Sequence, residues 1–293
     1  MNASALRQRS AVLSALRGWF ADHGYLEVPT PTLVPSPALE ESLFAVPAGH
    51  GWLRTSPEFA LKRVLAAGLP RIYELGPCFR DRESGPWHSG EFLMLEWYRV
   101  GASLPDLMDE VEELVAAAAD AVGRPPPKAW ERITVRDLVQ RCVGVDLAHQ
   151  RADAASPRPD EDWDTAFFRA WVDNVEPSLT HPVFVTDWPA SQAALARVFD
   201  HPEWPTTQRF EAYYGGVELA NAFLELIDSR EQRRRFHEAN AKRIQAGEAP
   251  HPIDERLIEA VGRMPPTSGI ALGVDRLVAA ICGWDSIATG QVR

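Results

Sequence analysis

Two apolar stretches joined by a polar loop constrain the fold of this chain more than any other feature. Residues 71–80 (RIYELGPCFR) and 91–99 (EFLMLEWYR) are typical of strands, and the segment DRESGPWHSG separates them. Gly85, Pro86 and Gly90 indicate a loop there, so the two strands are predicted to form a long hairpin. Long polar loops of this kind often carry functional side chains.

A second hairpin is predicted near the C-terminal third of the chain. Two β-rich runs, 209–214 and 217–226, are separated by Gly215-Gly216, which is a strong signal for a two-residue turn. Such a turn pairs Tyr213 with Glu218 across the hairpin.

That pairing places Glu211 on the same face as Glu218. Strict alternation sends three further positions to the opposite face: Asn221, Phe223 and Glu225. One pocket can use both sets only if a β-bulge shifts the register near Ala220, and we therefore predict a bulge there.

The remaining segments indicate strands and helices interspersed along one chain. Amphipathic helices are predicted over 4–22, 57–67, 103–121 and 229–246, and two helical pieces over 134–175 on either side of a polar stretch at 150–161. Ser103 with Asp106, and Ser229 with Gln232, are expected to cap the helices that begin there. Residues 33–50 are expected to form a loop, and 183–186 and 268–273 strands, the second running into a helix that ends near 282. This order favours an α+β fold, in which helices flank a mixed, mostly antiparallel sheet. It disfavours a doubly wound fold of the Rossmann type with a parallel sheet.

Composition excludes several classes of protein. The chain has 30 Lys and Arg against 41 Asp and Glu, a net charge of −11, which argues against a surface built mainly for nucleic acid. No apolar run approaches the ~18 residues of a membrane span, and the N-terminal segment lacks the apolar core of a signal peptide. Its three cysteines are far apart without metal-site spacing, so we expect buried thiols and a cytoplasmic, reducing setting.

The first hairpin carries side chains suited to a nucleotide. Arg80 ends one strand, His88 lies in the loop and Phe92 begins the return strand. Arginine presents a planar charged fork to a phosphate, and a phenylalanine ring can stack on a base. In isolation, each would more commonly be a surface or core residue.

Two other segments complete the pattern. Two carboxylates on one face, Glu211 and Glu218, repel each other unless a cation lies between them, which is how proteins hold Mg²⁺ together with nucleotide phosphates. The run Gly269-Ile-Ala-Leu-Gly273-Val-Asp-Arg276 is a strand of small residues that leads into a helix, with an arginine in its first turn. Glycine there lets a ligand approach the backbone closely.

Together these segments resemble the class II aminoacyl-tRNA synthetases, and most of all the lysine branch. Motif 1 corresponds to about residues 4–31, motif 2 to about 72–99 and motif 3 to about 268–282. The resemblance covers essentially the whole chain, implies ATP and Mg²⁺ as cofactors, and assigns motif 1 to a homodimer interface. We expect residues 1–293 to form a single catalytic domain without the anticodon-binding domain of a lysyl-tRNA synthetase.

A lysyl-type core without that domain resembles the elongation factor P lysine ligases. The strings TSPE at 55–58, MLEWYR at 94–99, PASQA at 189–193, VELANAF at 217–223 and GIALGVDR at 269–276 carry this resemblance. It implies a ligase that activates (R)-β-lysine with ATP and transfers it to a lysine side chain of elongation factor P. No stable tRNA binding and no membrane association are expected.

The resemblance also implies roles for individual positions. Arg80 matches the catalytic arginine at the α-phosphate and the substrate carboxylate, and Arg276 matches a second catalytic arginine at the outer phosphates. The other positions implied to bind ATP are Glu83, His88, Phe92, Glu218, Leu219 and Gly273. Those implied to bind the amino acid are Ser56, Pro57, Glu58, Glu96, Tyr98, Asn221, Phe223, Glu225 and Ala271. Glu211 and Glu218 are implied to bind Mg²⁺.

The far ammonium of a lysine-like substrate is assigned to Glu96, Tyr98 and Glu225. This assignment agrees with physical expectation, because a buried ammonium needs anionic and hydrogen-bonding partners. Ala271 stands where lysyl-tRNA synthetases usually have glycine, and alanine is typical of the β-lysine branch.

The sequence departs from the family pattern in the motif 2 loop. Asp81-Arg82 follows Phe79-Arg80 where the family usually has Asn-Glu, and Ser89-Gly90 stands where it has Asn-Pro. Glu83, one residue further on, is the acidic side chain available to contact ATP. Three alternatives remain open: activation of lysine or another diamino acid for a different acceptor, a non-catalytic regulatory subunit, and a tRNA-charging enzyme without an anticodon-binding arm, which the acidic charge disfavours.

Overall fold

The computed structural model describes residues 2–40, 43–150, 152, 158, 160–199 and 204–292. Within these residues the α-helices are α1 Ala3–Asp22, α2 Glu58–Ala66, α3 Leu104–Ala121, α4 Val135–Val143, α5 Trp163–Ala170, α6 Ser229–Gln245, α7 Glu255–Val261 and α8 Val274–Cys282. The strands are β1 Leu26–Glu27, β2 Leu33–Val34, β3 Pro47–Ala48, β4 Gly51–Leu53, β5 Arg71–Phe79, β6 Glu91–Val100, β7 Glu131–Thr134, β8 Val183–Thr186, β9 Val198–Phe199, β10 Thr206–Thr207, β11 Arg209–Tyr214, β12 Val217–Leu224 and β13 Thr267–Gly273.

One large sheet organises these elements. Over the described residues it has eight strands in the order β1-β5-β6-β13-β12-β11-β8-β7. Neighbouring strands are antiparallel except at the two edges, where β1 pairs with β5 and β7 with β8 in parallel. The predicted α+β architecture with a mixed, mostly antiparallel sheet is therefore confirmed.

Alternation along β6 decides which side of the sheet becomes the site. Leu95 and Trp97 are fully buried in the core that α1, α3 and α8 build on one face. Successive side chains of a strand point to opposite faces, so Glu96 and Tyr98 point away from that core and line a cavity. The α2, α6 and α7 helices pack together beside this second face.

Local signals at helix ends are confirmed with one correction. Ser103 and Asp106 form the predicted capping box of α3, each side chain bonded to the other residue's backbone. Helix α6, however, is capped by Asp228 and not by Ser229. The Asp228 carboxylate accepts hydrogen bonds from the backbone N–H groups of Arg230 and Glu231, which leaves Ser229 as the first helical residue.

The prediction for residues 33–50 was too simple. Short pairings join β2 to β4 and β3 to β4, so this stretch contributes two strands to a three-stranded sheet. Strands of two residues carry too little periodic signal to be recognised from sequence. Helix α7 and strand β7 were also not predicted.

A second core lies at the β7 edge of the large sheet. Helices α4 and α5 and a π-helical turn at Trp171–Val175 pack here, and the aromatic side chains of Phe167, Trp171 and Trp188 are buried in this core. The two predicted helical pieces of 134–175 are confirmed. Part of the polar stretch predicted between them, residues 151, 153–157 and 159, lies outside the described residues.

The cysteine prediction holds for two of the three thiols. Cys78 and Cys282 are buried, whereas Cys142 is half-buried beside Ser178.

Across the described residues, every helix is too short or too polar to span a bilayer.

Candidate active site

A cavity of about 310 Å³ lies between β6, β12, β13 and the loop after β5. Its wall includes all but two of the residues predicted to bind ATP, substrate or Mg²⁺: Ser56, Glu58, Arg80, Glu83, His88, Phe92, Glu96, Tyr98, Glu218, Leu219, Asn221, Phe223, Glu225, Ala271, Gly273 and Arg276. The two outside the wall are Pro57, which occupies the N-cap position of α2 and faces a neighbouring cavity, and Glu211.

The first hairpin, β5 and β6, places Arg80 and Phe92 side by side. Pairing of Cys78 with Phe92 places Arg80 beside the start of β6, where its guanidinium lies 5.1 Å from the centre of the Phe92 ring. The Nε atom of Arg80 is buried and has no hydrogen-bond partner among the described residues. A buried donor without a partner is costly unless a ligand satisfies it, so this end of the cavity suits a phosphate or carboxylate.

A connected set of charges lies at the neighbouring end. Nδ1 of His88 is 2.5 Å from Oε2 of Glu83, and Nε2 of His88 is 3.4 Å from Nη2 of Arg276. Arg276 also donates to the backbone carbonyls of Trp87 and Glu218, at 3.1 and 3.0 Å. Because Arg276 lies in the first turn of α8, its charge adds to the positive end of that helix, which favours an anion here.

The second hairpin contains the predicted β-bulge. Tyr213 pairs with Glu218 while Ala212 pairs with Ala220, so Leu219 is the extra residue. The insertion of one residue reverses the alternation beyond it. The bulge therefore brings Glu218 onto the same face as the three positions that strict alternation would send away: Asn221, Phe223 and Glu225.

Glu211 is not part of the cavity wall, but it pairs with the wall residue Asn221 across the hairpin. Its two carboxylate oxygens accept hydrogen bonds from the guanidinium of Arg209 and from the hydroxyl of Tyr213. Burial raises the pKa of Glu211 to about 7. The charge of Glu218 adds to this shift, and the charge of Arg209 opposes it.

The two carboxylates fit a magnesium ion shared with nucleotide phosphates. Glu218 lines the cavity, and each oxygen of Glu211 keeps a second lone pair beyond its hydrogen bond. Among the residues that the structure describes there is no group of three His, Cys, Asp or Glu side chains that could hold a metal alone. Mg²⁺ is usually held by one or two carboxylates plus phosphates, so two carboxylates are sufficient in number.

The far end of the cavity is lined with carboxylates. The oxygens of Glu96 accept hydrogen bonds from the hydroxyls of Tyr98 and Ser56, both at 2.7 Å. Glu58 and Glu225 also reach this end, and Glu40 from the chain before β3 lies on the wall.

Burial shifts the protonation of these carboxylates. Desolvation and the charge of Glu58 raise the pKa of Glu96 to about 8. The hydrogen bonds from Tyr98 and Ser56 oppose this shift. Desolvation likewise raises the pKa of Glu225 to about 7, although Lys62 opposes the shift. The pKa of Glu40 is also raised, by burial and by Glu58. A cationic ligand would relieve all three shifts, because it favours the ionised forms.

Gly269 makes room for two of these side chains. A Cβ atom at this position would collide with the carboxylate of Glu225 and the ring of Tyr98. The glycine at position 269 is therefore required by two side chains that line the cavity.

Asn221 and Arg209 are joined behind the wall. Oδ1 of Asn221 accepts a hydrogen bond from Nε of Arg209 at 3.0 Å, which leaves the amide NH₂ of Asn221 as a donor. This orientation suits a carboxylate or carbonyl oxygen of a ligand.

The side chain of Arg82, which departs from the family pattern, does not enter the cavity. The Arg82 side chain pairs with Glu248 at 2.8 Å and stacks on Phe44, and it is absent from the cavity wall. Glu83, which sequence analysis offered as the substitute acid, lies on the wall, as does Ser89.

Sequence reasoning missed four residues at this site. Lys62 contacts both Glu58 and Glu225, and Arg209 holds Glu211 and Asn221. Glu40 stands on the cavity wall. Glu176, which follows the π-helical turn, is close enough to Glu218, Arg276 and His88 for their charges to act on it; burial and Glu218 raise its pKa.

The signal for these residues was weak. Lys62 follows Glu58 by four positions, a spacing that brings two side chains of a helix together, and this could have suggested their pairing. Nothing in the sequence indicates that Glu176 would reach motif 3.

Comparison with known families agrees with this geometry. The family model described as tRNA synthetases class II (D, K and N) matches residues 1–290, which is nearly the whole chain. Enzymes of this family are ligases that activate amino acids with ATP and Mg²⁺. This chain belongs to the class II tRNA synthetase family of the D, K and N type.

Proposed function

We propose that this protein activates a lysine-like diamino acid, (R)-β-lysine, and transfers it to a lysine side chain of elongation factor P. The observation that carries the substrate class is the far end of the cavity, where Glu40, Glu58, Glu96 and Glu225 converge. Buried carboxylates in this number need cationic partners. The (R)-β-lysine preference and the acceptor rest on the sequence resemblance and on Ala271.

The proposed reaction has two steps. The substrate carboxylate attacks the α-phosphorus of ATP and releases pyrophosphate, giving an aminoacyl-adenylate. The amine of the acceptor lysine then attacks the adenylate carbonyl, and AMP leaves with the bonding electron pair. Neither step requires a side-chain nucleophile.

The residues of this chain would act by position and charge. Arg80, whose buried Nε has no hydrogen-bond partner in the described part of the chain, would hold the reacting carboxylate and α-phosphate. Arg276 with His88 would hold the outer phosphates. Glu218 and Glu211 would hold Mg²⁺, which supplies neutralisation of phosphate charge. Preorganised charge of this kind commonly provides the largest part of catalysis.

We propose that the described residues belong to one catalytic domain that forms a homodimer through motif 1. Leu26 on edge strand β1 and Leu33 on β2 are about half exposed, at 51% and 54%. Exposed apolar side chains beside an unpaired sheet edge favour association with a partner. Sedimentation of the purified protein, compared with Leu26→Lys, tests this point.

The acceptor is tested with purified elongation factor P. The protein, ATP and (R)-β-lysine are mixed with the factor, and its intact mass is measured. We expect a gain of one lysyl residue that is lost when Arg80 is replaced by alanine. Adenylate formation without a mass gain would indicate another acceptor, and a protein that neither forms adenylate nor modifies the factor would favour the regulatory alternative.

A further inference from the structure

A lysine of the chain lies behind the substrate pocket. Lys62 on α2 is fully buried, and its Nζ lies 2.5 Å from Oε1 of Glu58 and 2.7 Å from Oε2 of Glu225. Lys62 contributes no atom to the cavity wall, whereas both of its partners do. The ammonium thus bridges two cavity-lining carboxylates without itself forming part of the cavity wall.

The bridge joins two elements that are distant in sequence. Glu58 and Lys62 are one helical turn apart on α2, and Glu225 follows the end of β12. Two like charges facing one cavity would otherwise repel each other and turn apart or remain protonated. One ammonium between them opposes both tendencies, and for Glu225 it offsets part of the effect of burial.

The electrostatic balance supports this reading. Burial alone would lower the pKa of Lys62, but Glu225 and Glu58 outweigh that effect and raise it, so Lys62 stays charged. The other groups that face this cluster are Glu40, Glu96, Tyr98, Arg80 and Arg209. Lys62 is the cation in direct contact with the two carboxylates.

We propose that Lys62 is a positioning residue that fixes the orientation and ionisation of Glu58 and Glu225 for the amino groups of the substrate. Lys62 touches no substrate itself. The proposal rests on the proposed function, because it assigns these carboxylates to a diamino acid.

The role differs from simple packing support in one respect. A buried ion pair contributes little net stability, but removal of one partner leaves a charge without compensation. Replacing Lys62 by an apolar residue of similar length should therefore raise the pH at which Glu225 ionises, in addition to any loss of stability.

The test compares Lys62→Met with Arg63→Met, its neighbour on the same helix, which points to Asp254 instead. ATP–pyrophosphate exchange is measured with the diamino acid from pH 6 to pH 9. For Lys62→Met we expect the KM for the diamino acid to rise at least tenfold, the KM for ATP to stay within about twofold, and the pH dependence of kcat/KM to move upward by about one unit. Arg63→Met should match the unmodified protein in all three.

A folded Lys62→Met protein with an unchanged diamino acid KM and an unmoved pH profile would overturn the proposal. If Lys62→Met does not fold, Lys62→Met/Glu225→Gln decides, because it removes the uncompensated charge as well. Recovery of folding in the double variant supports the role, and a double variant as unfolded as the single one contradicts it.

Failure of the proposed function would appear elsewhere, as absence of exchange with every diamino acid in the unmodified protein. In that case thermal melting still tests the counter-ion role. The deficit of Lys62→Met in melting temperature should be larger at pH 9 than at pH 5, and a deficit independent of pH would contradict it.

Discussion

The guanidinium of Arg82 lies 3.9 Å from the centre of the Phe44 ring, so this side chain is turned away from the cavity that Arg80 enters. Backbone pairing fixes the same arrangement, since the Asp81 N–H donates to the Phe44 carbonyl at 2.7 Å. The positive charge at position 82 is therefore held outside the cavity, where Arg82 contacts Phe44 and pairs with Glu248.

This arrangement predicts that Arg82→Ala is nearly silent in the activation reaction. The ion pair with Glu248 is partly exposed, and exposed pairs contribute only about 0.2–1 kcal/mol. We expect the KM for ATP in pyrophosphate exchange to stay within about threefold, with little change in melting temperature. A tenfold fall in that KM on substitution would show that Arg82 opposes ATP binding.

Arg80→Ala is expected to abolish adenylate formation. It removes the buried donor that has no partner within the described part of the chain, at a place suited to the reacting anion. Loss of one preorganised donor costs about 10²–10³ in rate, and a charged guanidinium should be at the upper end. Arg82→Ala, two residues along the same loop, is the matched control, and both proteins should give the same circular dichroism spectrum. Full exchange activity in Arg80→Ala would refute the role.

Binding of a diamino acid should strengthen as pH rises from 6 to 8. Glu225 and Glu96, with pKa values of about 7 and 8, are protonated at the lower end and lose their protons across this range. Only the ionised carboxylates attract an ammonium, so the Kd should fall and protons should be released on binding. Calorimetry at pH 7 in two buffers of different ionisation enthalpy measures that release. Equal heats in both buffers would contradict the expectation.

The same shifts give a sign for stability in the absence of substrate. Both carboxylates have an ordinary pKa of 4.5, so the unfolded chain ionises while the folded chain still holds these protons. The stabilisation is complete below about pH 4.5 and is lost as pH rises through 7 to 8. The melting temperature should fall over this range and recover when a diamino acid is present. A diamino acid that raised it equally at pH 5 and pH 8 would count against this linkage.

Gly269→Ala is expected to disrupt amino acid selection. The added methyl group would meet the Glu225 carboxylate and the Tyr98 ring, and overpacking of this kind costs about 1–3 kcal/mol. The KM for the diamino acid should rise by roughly tenfold or more. Gly18→Ala on α1 is the control, since nothing lies within 4 Å of its added methyl group and alanine favours a helix. Equal KM values in the two variants would contradict the close packing at Gly269.

The parts of the site that sequence predicted are those fixed by local pattern. The turn at Gly215-Gly216 sets the register of its hairpin, and the need to bring Glu218 and Glu225 to one face required the bulge that the structure contains at Leu219. Arg80 and Phe92 could be placed together because both lie beside one hairpin loop.

The missed parts depend on tertiary packing. Lys62 lies on a helix that gives no sign of being buried against Glu225, which is far away in the chain. Glu176 follows a turn that packs into the separate core of Trp171 and Trp188, and this packing places it near Arg276 of motif 3. The bonds of Glu211 to Arg209 and Tyr213 were not predicted, because they depend on side-chain geometry that a period of two does not contain.

The most direct test of the account is ATP–pyrophosphate exchange by the purified protein with (R)-β-lysine, α-lysine, leucine or no amino acid. The carboxylate-lined cavity predicts exchange with the two diamino acids, strongest with (R)-β-lysine, and none above background with leucine. Glu225→Gln should lower the ratio of kcat/KM for a diamino acid to kcat/KM for leucine. Absence of exchange with either diamino acid, or equal exchange with leucine, would contradict the central claim that this cavity activates a lysine-like substrate.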